Sequence, residues 1–134
     1  MKTLSLLQPW ASLITVGAKT IETRSWSTKY RGPLAIHASR SNKNKLLRFM
    51  EPFLKALRGI GILPLGAIVT TCDLVDCIKM TPEFIESIKS PELDFGDYAV
   101  GRYAWILENI KPLEKPIPAL GALSLWEWED EKDA

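Results

Sequence analysis

The stretch "LGAIVTTCDLVDCIKM" constrains this chain more than any other. From Gly66 towards Ile78 it is rich in β-forming residues and reads as one strand long enough to bend around a barrel. With 134 residues, the chain has room for one domain with a real core and too little length for two domains of typical size. Its 46% apolar and 25% charged residues belong to a folded globular class rather than a disordered or collagenous one. We therefore expect a single domain over residues 1–134, with a mobile acidic tail at 129–134.

The remaining segments alternate between short strands and short helices. "KTLSLL" suits a first strand, and "PWASLITVG" a short helix with Pro9 at its start and Gly17 at its stop. "TIETRSW" reads as a strand with Thr20, Glu22 and Arg24 on one face and Ile21 and Thr23 on the other. A turn at Arg31-Gly32-Pro33 leads into a strand from Leu34 to His37. Beyond it, a helix capped by Ser41 places Leu46, Met50, Phe53, Leu54 and Leu57 at helical spacing, with Pro52 kinking or breaking it and Gly59 stopping it. "TPEFIESIKS" fits a helix capped by Thr81, and "SPELDFGDYAVG" a loop. "RYAWILENIKPL" and "ALSLWEWE" read as the last strands, joined by an extended "KPIP". Without a regular βαβ alternation, this order predicts an α+β domain on a curved sheet or small mixed β-barrel with short helices around it.

Several function classes lose support at this level. No run approaches the ~20 apolar residues of a membrane-spanning helix, and Gln8 and Pro9 interrupt any signal-peptide core, so the expected location is cytoplasmic. Cys72 and Cys77 stand five apart, on opposite faces of a regular strand, and read as reduced thiols. One histidine without a Cys/His cluster gives no metal site, and no cofactor is expected. The net charge of +1 hides an uneven distribution: residues 1–60 hold eleven Lys or Arg against Glu22 and Glu51, and the rest hold six against fourteen acids. Such asymmetry builds a basic face for a polyanion, or lets the two halves attract one another in the fold.

The candidate chemistry centres on "GAKTIETR", residues 17–24. Lys19 follows the helix stop, where its ammonium can swing into a cleft as a phosphate partner or, if desolvated, serve as an acid/base group. Glu22 and Arg24 are two residues apart on one strand face, close enough to hold each other and to present a fixed guanidinium. Trp10 and Trp26 flank them as core residues or as stacking surfaces for a base. His37 ends a strand, either satisfied by a backbone partner or free to meet phosphate. Ser39, Arg40 and Ser41 form a polar turn, followed by the basic strip Lys43, Lys45, Arg48 and Lys55, which is otherwise a solvated helix face. Asp97, beside Tyr98, lies in a loop able to close over the cleft or to cap a turn.

Four stretches in order, "LSLLQPWASLITVGAKTIETRSW", "RGPLAIHAS", "GAIVTTCDLVDC" and "GDYAVGRYAWILENI", resemble the ASCH domain (activating signal cointegrator homology), a family with the fold of the PUA superfamily. The resemblance runs roughly from Leu4 to Trp126 and includes the motif Gly17, Lys19, Glu22, Arg24. It implies a small β-barrel with a cleft beside the motif and binding of RNA or DNA; together with the charge pattern, the first expectation is that RNA or single-stranded DNA engages Lys19, Arg24, Lys43, Lys45 and Arg48. It also implies a second possibility, since some members hydrolyse an acetyl amide of modified cytidine nucleosides and another is a ribonuclease. On that reading a nucleoside-like small molecule or RNA is the substrate, and Lys19 with Glu22 is the acid/base pair. The amidohydrolase members carry a nucleophilic threonine at the place of Glu22, so their acyl intermediate does not transfer to this chain. A protein-interaction module, using the basic front and acidic tail, is a third expectation.

Overall fold

The structure, a computed structural model, describes residues 1–129. Leu4 and Leu6 enter the core from β1 (Lys2–Leu6), and the chain then turns into α1 (Trp10–Thr15). Fully buried Gln8 starts that helix. Its Oε1 accepts the Ser12 N–H at 3.0 Å, and its Nε2 donates to the Pro64 carbonyl at 2.9 Å. Gly17 ends the helix as its position predicts: at φ +80° it turns left-handed, so that the N–H groups of Ala18 and Lys19 both reach the Leu13 carbonyl. The chain continues through β2 (Ile21–Arg24), β3 (Gly32–Ala38), α2 (Phe53–Ala56), β4 (Ala67–Lys79), α3 (Pro82–Ser87), β5 (Tyr103–Pro118) and β6 (Leu125–Glu127). Single 3₁₀ segments lie at Lys45–Phe49 and Glu92–Phe95.

The six strands form one mixed sheet in the order β2-β5-β4-β3-β1-β6. β1 runs parallel to β3, and every other neighbouring pair is antiparallel. The long strand expected from Gly66 onwards is β4, and the β4–β5 ladder does the bending. Its register shifts between Ile68 and Thr70, Thr71 and Asp73, and Leu74 and Asp76. At the middle shift the extra residue is Asn109, left-handed at φ 54°, whose amide donates to Asp73 at 3.1 Å. Such bulges sharpen local twist, and the sheet curls into a half-barrel left open between β2 and β6.

Inside the curl, Leu4, Ile14, Leu34, Ile36, Leu74 and Trp105 belong to one core cluster. A second cluster, Leu13, Phe53, Leu57, Leu63 and Phe95, packs under the helices. Trp105 is fully buried, stacks edge-on with Trp26 at 4.8 Å between ring centroids, and donates its indole N–H to the Trp26 carbonyl. Both cysteines are free; burial, helped by Asp73, pushes the Cys72 thiol up to about 12. No helix among the described residues is long and apolar enough to cross a membrane.

Three local expectations need correction. The helix expected from Ser41 breaks into the 3₁₀ segment Lys45–Phe49 and the short α2, and Leu46, Met50 and Leu54 are exposed while Phe53 and Leu57 are buried. Pro52 is the physical cause, because it lacks an N–H and disfavours helical backbone at Glu51. Arg31-Gly32-Pro33 is not a turn: β3 already begins at Gly32, opposite Leu74 of β4. "KPIP" is part of β5 rather than a link, and the last strand shrinks to Leu125–Glu127. Of the tail expected at 129–134, residues 130–134 lie outside the described residues.

His37 ties distant strands together. Its Nδ1 lies 2.9 Å from Ser5 Oγ on β1 and its Nε2 lies 2.8 Å from the Ala119 carbonyl after β5, while Trp126 of β6 packs edge-on at 5.4 Å. A Cβ on Gly121 would come within 2.7 Å of the ring, so the segment crossing it needs glycine there. Burial lowers the His37 pKa, and the Ala119 hydrogen bond offsets that only in part.

Three outcomes follow. Trp105→Ala is expected to cost about 3–5 kcal/mol in urea denaturation. The same measurement on Leu123→Ala, at a side chain 92% exposed, should move stability by less than about 0.5 kcal/mol. Because folded His37 binds its proton less well than the unfolded chain, its contribution is complete above the ordinary histidine value of 6.5 and is lost as pH falls towards the lowered folded value. Stability should therefore decline as pH falls below the ordinary histidine value, and His37→Gln should flatten that limb. An unchanged slope in the variant would contradict the assignment.

Candidate functional site

β2 is an edge strand paired with β5, Glu22 opposite Trp105 and Arg24 opposite Tyr103. The two-residue spacing brings the Glu22 and Arg24 side chains together in one cleft, as the strand reading expected. Lys19 does not swing into that cleft. It is fully buried beneath it, its Nζ donating to the Ile21 carbonyl at 2.6 Å and the Phe95 carbonyl at 3.0 Å and standing 3.4 Å from Glu22 Oε1. With three oxygen partners its three donors are used.

Glu22 passes this order outward. Its Oε2 takes the Arg24 Nε–H at 3.0 Å and lies 2.9 Å from Arg24 Nη2, which also donates to the Ser5 carbonyl at 2.9 Å. The two N–H groups of Arg24 Nη1 have no protein partner among the described residues. The guanidinium is thus held rigidly while one end remains available.

The opposite wall is the 92–97 segment, fastened to β2 by polar contacts. Glu92 Oε1 accepts from the Thr20 backbone N–H at 2.7 Å and its hydroxyl at 2.9 Å, and the Thr23 hydroxyl accepts the Asp97 N–H at 2.9 Å. Gly96 permits the close approach, since a Cβ there would meet Tyr98 at 2.7 Å and Thr23 at 3.0 Å. Tyr98 OH and Glu92 Oε2 are buried without a protein hydrogen-bond partner. Burial first, and then the negative charges of Glu92 and Glu22, raises the Tyr98 phenol well above its usual range.

The resulting cleft has a volume of about 530 Å³. Glu22, Arg24, Trp26 and Asp97 line it, together with Trp10, Thr23, Ser25 and Arg102. A second cleft of about 440 Å³ takes His37, Ser39 and Arg40. The two share Ser5, Leu7 and Arg24, so they adjoin, with Arg24 between them.

Lys43, Lys45 and Arg48 line neither cleft. The two lysines are exposed, and Arg48 donates to the Ile60 and Gly61 carbonyls, both at 2.6 Å. Ser5, Leu7, Ser25 and Arg102 escaped the sequence reading. Ser5 sits in a stretch indistinguishable from any core strand, and Arg102 is one of many charged loop residues. No group of three His, Cys, Asp or Glu side chains suited to a metal ion occurs among the described residues.

The ASCH domain profile matches residues 4–117. The chain is 28% identical over 129 residues to "Activating signal cointegrator 1" of Homo sapiens and 29% identical over 130 residues to that of Mus musculus, covering 92% of this chain in each case. It spans 21% of the length of each of these relatives. A mixed, curled half-barrel with short helices and a cleft beside Glu22 and Arg24, matched along most of its length, thus belongs to the ASCH domain family, PUA-like modules generally implicated in RNA binding.

Proposed function

We propose that this chain binds single-stranded nucleic acid, RNA before DNA, with one base or nucleoside in the first cleft and the phosphate backbone running past Arg24 into the second. One observation carries the reading: Arg24 walls both clefts and keeps the two N–H groups of Nη1 unspent. A guanidinium immobilised by Glu22 and the Ser5 carbonyl suits the fork geometry of a phosphate.

The charges divide in the same sense. The first cleft sets Glu22, Asp94 and Asp97 against Arg24 and Arg102, with Lys19 beneath, and is close to neutral. The second contains Arg24 and Arg40 and no carboxylate. A neutral pocket with Trp10 and Trp26 on its walls suits a base, and a cationic groove suits a backbone. Stacking on such rings contributes roughly 1–3 kcal/mol per base. Lys19 serves as a positioning residue, Lys43 and Lys45 steer the polyanion through their field, and His37, Ser39 and Asp97 shape the groove.

Fluorescence anisotropy with labelled single-stranded RNA and DNA at two salt concentrations tests this. Arg24→Gln and Arg40→Ala should each weaken binding, and each lost phosphate contact should flatten the slope of log K against log salt by about 0.7. Lys55→Ala should leave both unchanged. Salt-independent binding, or an unaltered Arg24→Gln, would sink the proposal.

Lys19→Met removes one partner of a buried pair, and we expect a loss of about 3–5 kcal/mol in denaturant stability. Replacing Lys19 and Glu22 together by Met and Leu should recover much of that loss while still weakening RNA binding, because Arg24 is then unheld. A double variant as unstable as Lys19→Met would argue against this pairing.

A further inference from the structure

Where the two clefts meet, Ser5 Oγ and His37 Nδ1 stand 2.9 Å apart; Ser5 lines both clefts and His37 the second. The tautomer follows from the other ring nitrogen. His37 Nε2 is 2.8 Å from the Ala119 carbonyl, which can only accept, so the ring proton sits on Nε2 and the lone pair on Nδ1 faces the serine. Trp126 donates its indole N–H to Ser5 Oγ at 3.0 Å, which leaves the hydroxyl hydrogen for His37. Of the two lone pairs on that oxygen Trp126 occupies one, and the other has no protein partner among the described residues. Arg24 donates from Nη2 to the Ser5 backbone carbonyl at 2.9 Å and lines the same cleft as the pair.

As a tie between strands, this arrangement would serve equally well sealed from solvent. Here the pair instead borders an open cleft whose lining includes Ser5, His37 and Arg24, so that a base, an acceptor that orients the base and a cation belong to one site. We infer that Ser5 and His37 form a nucleophile–base pair that hydrolyses an acyl ester seated in the second cleft.

The step balances without any added cofactor. Ser5 Oγ attacks the acyl carbon as its proton passes to His37 Nδ1, and the oxyanion gathers near Arg24. Collapse breaks the bond to the leaving alcohol, which takes the proton from His37. Water then adds to the acyl-serine, again giving its proton to Nδ1, and departure of the carboxylic acid restores the Ser5 hydroxyl. The inference does not rest on nucleic-acid binding; the two share a groove, not an argument.

The test treats the folded wild-type chain with a fluorophosphonate probe and maps the adduct by peptide mass spectrometry. We expect phosphonylation of Ser5 with loss of fluoride, at a rate that falls in acid as His37 takes up a proton and is level by neutral pH. His37→Gln should slow it by about 100-fold or more, and p-nitrophenyl acetate turnover should fall in parallel. If that variant does not fold, the wild-type pH profile of Ser5 labelling decides the matter. Absence of an adduct on Ser5, or a labelling rate independent of pH, overturns the inference. Oligonucleotide binding, measured on the same preparation, bears on the nucleic-acid proposal alone.

Discussion

A buried ammonium with three oxygen partners organises this molecule. Lys19 joins the turn that ends α1, the first residue of β2 and the Phe95 carbonyl of the opposite wall, adding a buried link to the Thr20–Glu92 and Thr23–Asp97 hydrogen bonds. Removing such a charge from water costs several kcal/mol, and it is tolerated because each of its donors finds an acceptor. The surplus is geometric rather than energetic. Glu22 is held by Lys19 and in turn holds Arg24, so a charge sealed in the interior determines where an accessible guanidinium points.

The same logic separates the cations of the amino-terminal half. Lys19 and Arg24 are absorbed by Glu22, while Lys2 and Arg31 pair with Glu127 and Asp76 of the carboxy-terminal half. The other seven of the eleven have no carboxylate partner among the described residues. Attraction between the halves therefore consumes a minority of the charge asymmetry. What remains is a positive field, with Arg40 in the second cleft and Lys43 and Lys45 outside it. The interior ion pairs set geometry, and the unpaired surface charges set the long-range pull on an anionic partner.

Hydrogen bonding distributes the remaining work. Ser5, His37, Trp126 and Ala119 link β1, β3, β6 and the end of β5 beside the second cleft. The first cleft depends instead on the 92–97 segment lying against β2, which Gly96 permits by lacking a side chain. A groove assembled from two independently fastened walls can carry two local environments, one close to neutral and one cationic. That division is what a base and its phosphate require.

Local pattern was sufficient for much of this architecture. The glycine stop at Gly17, the cap of Thr81 on α3 and the long β-forming run of β4 each depend on residues adjacent in the chain, and each lies where the sequence reading put it. The pairing of Glu22 with Arg24 was equally legible, because a strand's two-residue period is a local property. The helix expected from Ser41 failed where Pro52 overrode the apolar spacing. The burial of Lys19 was beyond local reading, since its acceptor at Phe95 is 76 residues away. So was the meeting of Ser5 with His37, which depends on parallel pairing across 32 residues. The amino-acid order by itself determined which residues form strands, caps and the charged motif. Only the tertiary structure decided which charges are sealed in and which face a groove, because desolvation and hydrogen-bond partnership belong to contacts between segments remote in the chain.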